Sequence, residues 1–161
     1  MSTTMTAETP RPTTSALPAA NRALQVQPYL FFNGRCEEAV EFYQRALGAE
    51  VKMLARYKDS PEPPPPGRLP PGSENKIMHA GFRIGATTIM ASDGCDEGEP
   101  KFEGFSLTLT VPDADAAERA FAALAEGGKV GMPLAKTFYS PRFGMVTDRF
   151  GVSWMIYVEQ P

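Results

Sequence analysis

Few side chains in this sequence can carry acid–base or nucleophilic chemistry. His79 is the only histidine, and the two cysteines are Cys36 and Cys95. The imidazole of His79 has the side-chain pKa best suited to a general acid or base near neutral pH. A histidine in an apolar strand is also commonly a packed residue with a satisfied hydrogen bond, and the sequence leaves both roles open. His79 is the best catalytic candidate, and the catalytic residues are otherwise unknown.

The other reactive groups favour structural interpretations. Cys36 begins a predicted helix, where the pKa of a thiol can be lowered, but it falls on the apolar stripe, and we expect inert packing. Cys95 lies in an acidic segment, which disfavours the thiolate, and we expect residues 96–99 to be a solvated loop. The cysteines form no C-x-x-C metal or redox motif. The sequence also lacks the glycine-rich loops that bind nucleotide phosphates, dinucleotides or S-adenosylmethionine.

Composition limits the class of protein. The chain has 161 residues, 42% of them hydrophobic and 22% charged, which fits a single domain with a packed core. A net charge of -3 without a run of Lys or Arg gives no electrostatic footprint for nucleic acid. No apolar run reaches the roughly 18 residues of a membrane span, and residues 1–20 lack the apolar region of a secretory signal. We expect a cytoplasmic protein without nucleic-acid or membrane partners.

The hydrophobic pattern then supplies the elements that position these residues. Residues 1–24, rich in Thr, Ala, Pro and Ser, are predicted to be a disordered tail, and residues 25–160 a single domain. Apolar stripes and helix caps predict two helices, and alternating or β-branched runs predict the strands. The predicted helices are residues 36–47, capped by Gly48, and a second that begins at Asp113 and ends at Gly127. The predicted strands are residues 27–32, 50–57, 76–84, 87–92, 105–111, 129–136, 140–147 and 152–158, with a Pro-rich loop at 58–75.

The same order of elements occurs twice. Residues 27–93 and 105–159 each read as a βαβββ unit. Neither unit covers both edges of its own sheet, so pairing the two, within one chain or across a dimer, buries the edges and encloses a cavity. The prediction is an α+β fold of paired curved mixed sheets around a cavity, and a homodimer.

Several short motifs carry a resemblance to a known family. They are Pro28-Tyr29-Leu30-Phe31-Phe32-Asn33-Gly34, Phe42-Tyr43 with Leu47-Gly48, His79-Ala80 with Arg83-Ile84-Gly85, Ile89-Met90-Ala91-Ser92-Asp93, and Phe143-Gly144-Met145-Val146-Thr147-Asp148 with Gly151 and Trp154. With these in order over residues 25–159, the chain resembles the PhnB-like (YjdN-like) branch of the vicinal oxygen chelate superfamily, the glyoxalase, bleomycin resistance and dioxygenase fold. The resemblance implies a dimer that binds small ligands in concave sheets.

Metal-using members of that superfamily hold a divalent ion with four His, Gln or Glu ligands. Counted from the motifs, the four corresponding positions are Pro28, Met90, Ser106 and Met155. A hard divalent cation prefers imidazole and carboxylate over thioether and proline. The resemblance therefore implies that the metal site is absent, and we expect no metal cofactor.

Side chains in phase with those positions are the predicted ligand contacts, because alternate residues of a strand share a face. They are Ser92, Ser106, Thr108, Met155 and Tyr157. The first functional hypothesis is a metal-independent protein that binds a small organic molecule, whether for sequestration, sensing or an unknown reaction. The second is a metal-dependent lyase, dioxygenase or isomerase with relocated ligands such as His79 and Glu159. The third is a resistance protein that binds cationic drugs.

Overall fold

The computed structural model describes residues 24–161. The predicted tail, residues 1–24, lies outside the described residues apart from Leu24. The helices are α1 (Cys36–Leu47) and α2 (Ala114–Ala125). The strands are β1 (Tyr29–Phe31), β2 (Glu50–Arg56), β3 (Ile77–Ile84), β4 (Thr87–Ser92), β5 (Leu107–Val111), β6 (Lys129–Ala135), β7 (Phe143–Thr147) and β8 (Ser153–Val158). None of the helices in this range is long and apolar enough to cross a membrane.

The strands form two four-stranded sheets of the same topology, ordered β1-β4-β3-β2 and β5-β8-β7-β6. In each sheet the first strand pairs in parallel with the fourth, and the other neighbours are antiparallel. The structure thus confirms the predicted α+β class and the repeated βαβββ order. It also places the first and last strands of each unit side by side, which a sequence pattern cannot show.

Helix α1 is held at both ends by groups that satisfy its free backbone atoms. At its C-terminus Gly48 adopts the left-handed conformation (φ 67°), and its N–H is donated to the Gln44 carbonyl. Its N-cap residue, Arg35, makes no side-chain capping bond. The buried carboxylate of Asp93 takes that role, accepting from Cys36 N at 2.8 Å and from Ile77 N at 2.7 Å. One side chain therefore ties the helix to strand β3.

Helix α2 begins as the sequence predicts. Asp113 Oδ1 accepts a 2.8 Å bond from Ala116 N, which is a standard N-cap. Its buried residues, Ala117, Ala120 and Leu124, form the predicted apolar stripe. Small residues at two of these three positions let the helix lie close to its sheet.

Both sheets contribute their helix-side faces to one core. The Tyr43 ring of α1 stacks on Phe82 of β3 with centroids 5.8 Å apart, and it meets Trp154 of β8 at 5.6 Å. Phe32 and Phe150, from the two modules, pack edge to face at 5.9 Å. The helices cover these faces and leave the opposite face of each sheet uncovered. We call these uncovered faces the open faces.

The structure differs from the prediction at the start of β7 and in the Pro-rich loop, where hydrogen bonds form turns. Strand β7 begins at Phe143 rather than at residue 140, because Ser140 closes a turn with Thr137, whose N–H is donated to the Ser140 carbonyl at 2.9 Å. The Ser140 hydroxyl also lies 2.6 Å from the Val158 carbonyl, to which it donates. The Pro-rich loop contains two short 3₁₀ turns, Tyr57–Asp59 and Ser73–Asn75. Polar side chains thus override the strand pattern in this turn.

Candidate functional site

His79 lies on the open face of the first sheet, beside an aromatic pair. Its Nδ1 is 3.2 Å from the Tyr29 hydroxyl, within hydrogen-bonding distance. Tyr29 is 37% exposed, and its ring lies 4.9 Å from that of Phe31. The imidazole is therefore oriented by a phenol on a surface that a ligand can reach. This arrangement suits a proton donor or acceptor, or a hydrogen-bonding anchor.

Ser92 lies at the end of strand β4, and its hydroxyl is hydrogen-bonded to the backbone. Its side chain is 3% exposed, and its hydroxyl accepts a 3.1 Å bond from Gly94 N. In the single chain this serine supports the turn after β4 and presents little surface to a ligand.

The other predicted contact residues lie together on the open face of the second sheet. The hydroxyls of Ser106 and Ser153 are 2.6 Å apart, and either can be the donor. Thr108 is opposite Met155, and the Tyr157 hydroxyl donates a 3.4 Å bond to the Tyr139 carbonyl. The structure thus groups four of the six predicted site residues and leaves His79 and Ser92 on the other sheet.

Strand pairing adds residues that the sequence did not single out. Met145 is opposite Met155, and Met132 is opposite Met145, so three thioethers lie side by side on one face. Tyr29, the partner of His79, belongs to a sequence motif but not to the predicted site residues. The alternation along each strand could have indicated the face of Met145, but only the register between strands shows the row.

A cavity of about 630 Å³ opens at the end of the first open face, against the linker between the modules. Tyr29, Phe31 and Phe105 line its apolar part. The carboxylates of residues 96, 97 and 99 lie on its wall with Lys101. The acidic segment predicted to be a solvated loop thus also forms one side of a concave surface.

The superfamily's metal positions do not fit a hard divalent ion in this chain. Pro28, counted as the first, lies just before β1, where Tyr29 is in register with Met90. The proline lines a cavity of about 170 Å³ together with Ile84, Ile89 and residues of both modules, two of them threonines. The remaining positions carry the thioethers of Met90 and Met155 and the hydroxyl of Ser106, none of them a ligand that a hard cation prefers. Across residues 24–161, no group of three or more His, Cys, Asp or Glu side chains is arranged to hold a metal.

The buried thiol at the start of α1 is chemically quiet. Burial, together with the nearby Asp93 and Glu37 carboxylates, raises the pKa of Cys36 well above its ordinary value. Because the thiolate is the reactive form, this thiol is inert near neutral pH. The structure supports the packing role that the sequence suggested for Cys36.

Comparison with known proteins identifies the class. The fold is that of the glyoxalase, bleomycin resistance and dioxygenase superfamily. One solved domain of that description, from Frankia sp. EAN1pec, has a TM-score of 0.58 and 12% identity over 86% of this chain and 98% of its own. At that identity the likeness concerns the fold alone. The chain belongs to the family described as 3-demethylubiquinone-9 3-methyltransferase, whose model matches residues 24–157.

Individual relatives agree with this placement and confirm the PhnB-like resemblance. Protein YjdN of Escherichia coli K12 is 40% identical over 147 residues, which are 86% of this chain and 99% of the relative. Protein PA1353 of Pseudomonas aeruginosa is 44% identical with a TM-score of 0.75, covering 86% of this chain and all (100%) of its own. A protein of Bacillus cereus, described as a putative 3-demethylubiquinone-9 3-methyltransferase and PhnB protein, is 27% identical with a TM-score of 0.69, over 84% and 99% of the two chains.

Proposed function

We propose that this protein binds a small organic molecule on its open sheet faces, without the divalent metal of its superfamily. The observation that carries the proposal is the open face of the second sheet, where Ser106, Thr108, Met155 and Tyr157 lie together. Hydroxyl, thioether and aromatic groups can hold an organic ligand by hydrogen bonds and apolar contact. His79 beside Tyr29 is the proposed acid–base group of any reaction at this site.

Metal independence rests on the donor set. The positions that bear metal ligands elsewhere in the superfamily carry proline, thioether and hydroxyl groups here. Relocated ligands at His79 and Glu159 would have to come from β3 of the first sheet and from the segment that follows β8 of the second. This alternative predicts stoichiometric metal, which a direct measurement can detect.

Binding is proposed here rather than methyl transfer. The description of the family and that of the Bacillus cereus relative both name a methyltransferase. The sequence has no glycine-rich loop of the kind that holds S-adenosylmethionine. We propose that the groups on the open faces hold an organic molecule, and we assign none of them to a methyl donor.

A homodimer is part of the proposal. Strands β2 and β6 are each one of the two edge strands of their sheet, and both carry apolar side chains in solvent: Val51 is 38%, Met53 48%, Val130 44% and Met132 46% exposed. A second copy of the chain would cover these strands and convert the open faces into the walls of a cavity. We also propose a cytoplasmic setting, which agrees with the free thiols of both cysteines.

The experiment that tests this function uses the full-length protein purified without a His-tag. Elemental analysis should find substoichiometric Zn, Ni, Mn and Fe, and chelator treatment should not change the unfolding temperature. A panel of small organic molecules should then raise that temperature saturably, since a ligand at about 100 times its Kd adds roughly 2.7 kcal/mol. One equivalent of metal that is lost on chelation with loss of stability would refute metal independence. No saturable ligand in a diverse panel would refute binding.

A second function, sequestration of cationic drugs, is favoured by the cavity beside the linker. Asp96, Glu97 and Glu99 line it together with the rings of Tyr29 and Phe31. Carboxylates and aromatic faces together attract organic cations. This function predicts that cationic glycopeptides alone stabilise the protein and that replacing the three carboxylates with amides removes the effect.

A further inference from the structure

The open face of the second sheet is ordered in rows that run across its strands. Residues paired across neighbouring strands point to the same face, so the register defines each row. Val146, Trp154 and Ile156 are buried on the helix side, and the residues between them therefore point to the open side. Met145 and Met155 are two of these open-side residues. The rows differ in chemistry along the strand direction.

The middle row is made of thioethers. Met155, Met145 and Met132 are in register on β8, β7 and β6. With neighbouring strands about 4.8 Å apart, three such side chains cover about 10 Å across the sheet. Met132 is 46% exposed, and the other two are half-buried. Methionine is flexible and polarisable and makes favourable sulfur contacts with aromatic rings, so a solvent-facing row of three suits an aromatic ligand.

The row on one side of the methionines is polar. Ser106 and Ser153 share one hydrogen bond at 2.6 Å, which uses one hydroxyl proton and leaves the other for an outside acceptor. Thr147 is in register with Ser153, and Lys129 with Thr147, so the row ends in an exposed ammonium. Three hydroxyls and a positive charge suit an oxygen-rich, anionic head group.

The row on the other side is aromatic. Tyr157 and Phe143 are in register on β8 and β7, and Tyr139 packs edge to face on Phe143 at 5.5 Å. Tyr157 is four residues from Ser153, which places the aromatic row about 13 Å from the polar row along an extended strand. The face is therefore polar at one end and apolar and polarisable over the rest of its length.

We propose that this face binds a planar aromatic carboxylate, with the carboxylate at the polar row and the ring system over Met155, Met145 and Met132. The inference rests on the proposed small-molecule function and specifies its ligand class. A saturated ring of the same size and charge would keep the head-group bonds and lose the sulfur–aromatic contacts. A neutral aromatic amide would keep the ring contacts and lose the charge attraction of Lys129.

The test uses full-length protein labelled with ¹³C at the methionine methyl groups. The probes are 2-naphthoate, its saturated analogue decahydronaphthalene-2-carboxylate, and naphthalene-2-carboxamide. With 2-naphthoate, ring currents should move the methyl signals of Met132, Met145 and Met155 upfield along one binding curve. The methyl signal of Met78 should stay in place, because Met78 is two residues from the buried Ala80 and therefore lies on the same, helix-side face of β3.

Matched variants separate the two parts of the face. Met145→Leu keeps the apolar volume and removes one sulfur contact, so it should weaken 2-naphthoate about two- to tenfold and leave the saturated acid within twofold. Met78→Leu should change neither. Lys129→Gln should abolish the preference for 2-naphthoate over its amide, whereas Lys52→Gln, on exposed β2, should preserve it.

The outcomes distinguish this inference from the function on which it rests. Equal affinities for the aromatic and saturated acids, unchanged by Met145→Leu, would overturn the aromatic class and leave small-molecule binding in place. Methyl shifts confined to Met53 and Met90 would move the ligand to the first sheet and overturn this site. Failure of every molecule in the thermal-shift panel would instead refute the proposed function itself.

Discussion

The hydroxyl of Tyr43 on α1 donates a 2.6 Å hydrogen bond to the carboxylate of Asp148, which lies in the turn between β7 and β8 of the other module. Asp148 is 3% exposed, yet its two oxygens also accept from Trp154 Nε1 at 2.9 Å, Phe150 N at 2.9 Å and Val152 N at 3.1 Å. Four donors replace the water that the buried carboxylate lost. The two modules are therefore joined by a polar contact inside the shared core.

Removing the Tyr43 hydroxyl tests this joint. We expect Tyr43→Phe to lower the free energy of unfolding by about 1.5–3 kcal/mol, the range for a hydrogen bond to a charged group. The ring keeps its stacking on Phe82, so the loss reports the bond to Asp148. Urea unfolding followed by far-UV circular dichroism measures the change.

Tyr157→Phe is the matched control for this measurement. The Tyr157 hydroxyl makes one long bond of 3.4 Å to the exposed Tyr139 carbonyl, so its loss should cost less than about 0.5 kcal/mol. Equal destabilisation by the two variants would contradict the special role of the Tyr43–Asp148 contact.

The same tyrosine predicts a loss of stability in alkali. Burial and the adjacent Asp148 carboxylate raise the pKa of Tyr43 above its ordinary value near 10. The folded state therefore holds this proton more tightly than the unfolded state. The stabilisation is fully present below the unfolded pKa and is lost as pH rises above about 10, with a slope of up to about 1.4 kcal/mol per pH unit.

The comparison that isolates this effect is the difference in unfolding free energy between the native protein and Tyr43→Phe from pH 8 to pH 11. That difference should stay constant to about pH 10 and then shrink. Cys36, whose pKa is also raised by burial, titrates in both proteins and cancels. A difference that does not change over the whole range would show that Tyr43 has an ordinary pKa.

Asp93 supports a further stability prediction, because it caps α1 from a distance. Asp93→Ala leaves the buried N–H groups of Cys36 and Ile77 without their acceptor, and we expect a loss of about 2–4 kcal/mol. Asp93→Asn keeps one acceptor oxygen and should recover part of it. Differential scanning calorimetry of both variants shows which one is less stable. An alanine variant as stable as the asparagine variant would argue against the cap.

Sequence patterns predicted those parts of the molecule that depend on local physics. The α1 stripe, the Asp113 cap and the left-handed Gly48 follow from neighbouring residues, and the structure has them as expected. The common face of Ser106 and Thr108 follows from the two-residue period of a strand.

The remaining features depend on contacts between distant residues. The pairing of β1 with β4 places Tyr29 opposite Met90, and a proline at the start of a strand gives no periodic signal from which that register could be predicted. The cap joins Asp93 to Cys36, 57 positions away in the sequence, and the Tyr29–His79 contact joins residues 50 positions apart. The row Met132, Met145 and Met155 exists only once three strands are in register.

Two glycines, Gly128 just before β6 and Gly81 in β3, predict opposite responses to an added methyl group. A Cβ on Gly128 would overlap the Thr147 carbonyl and come within 3.0 Å of Asp148 Cα, both backbone atoms that cannot move freely. We expect Gly128→Ala to destabilise the protein by about 1–3 kcal/mol. A Cβ on Gly81 would meet no atom within 4 Å, so Gly81→Ala should change stability by less than about 0.5 kcal/mol. The urea concentrations at the unfolding midpoints of the two variants measure the difference. Equal midpoints would show that β6 shifts to make room for the added methyl group.

The exposed outer strands predict a dimer that a single charge can weaken. Val130 on β6 is 44% exposed in the single chain, and a second copy over this strand would bury it. Val130→Lys would then place an unpaired ammonium in the interface, which costs several kcal/mol once its water is removed. We expect sedimentation velocity to show a dimer for the native protein at micromolar concentration and a shift toward monomer for Val130→Lys. Glu103→Lys, on the exposed linker, makes a larger change in charge away from β6 and should leave the dimer intact. A monomeric native protein, or a dimer that the two variants weaken equally, would place the contact elsewhere.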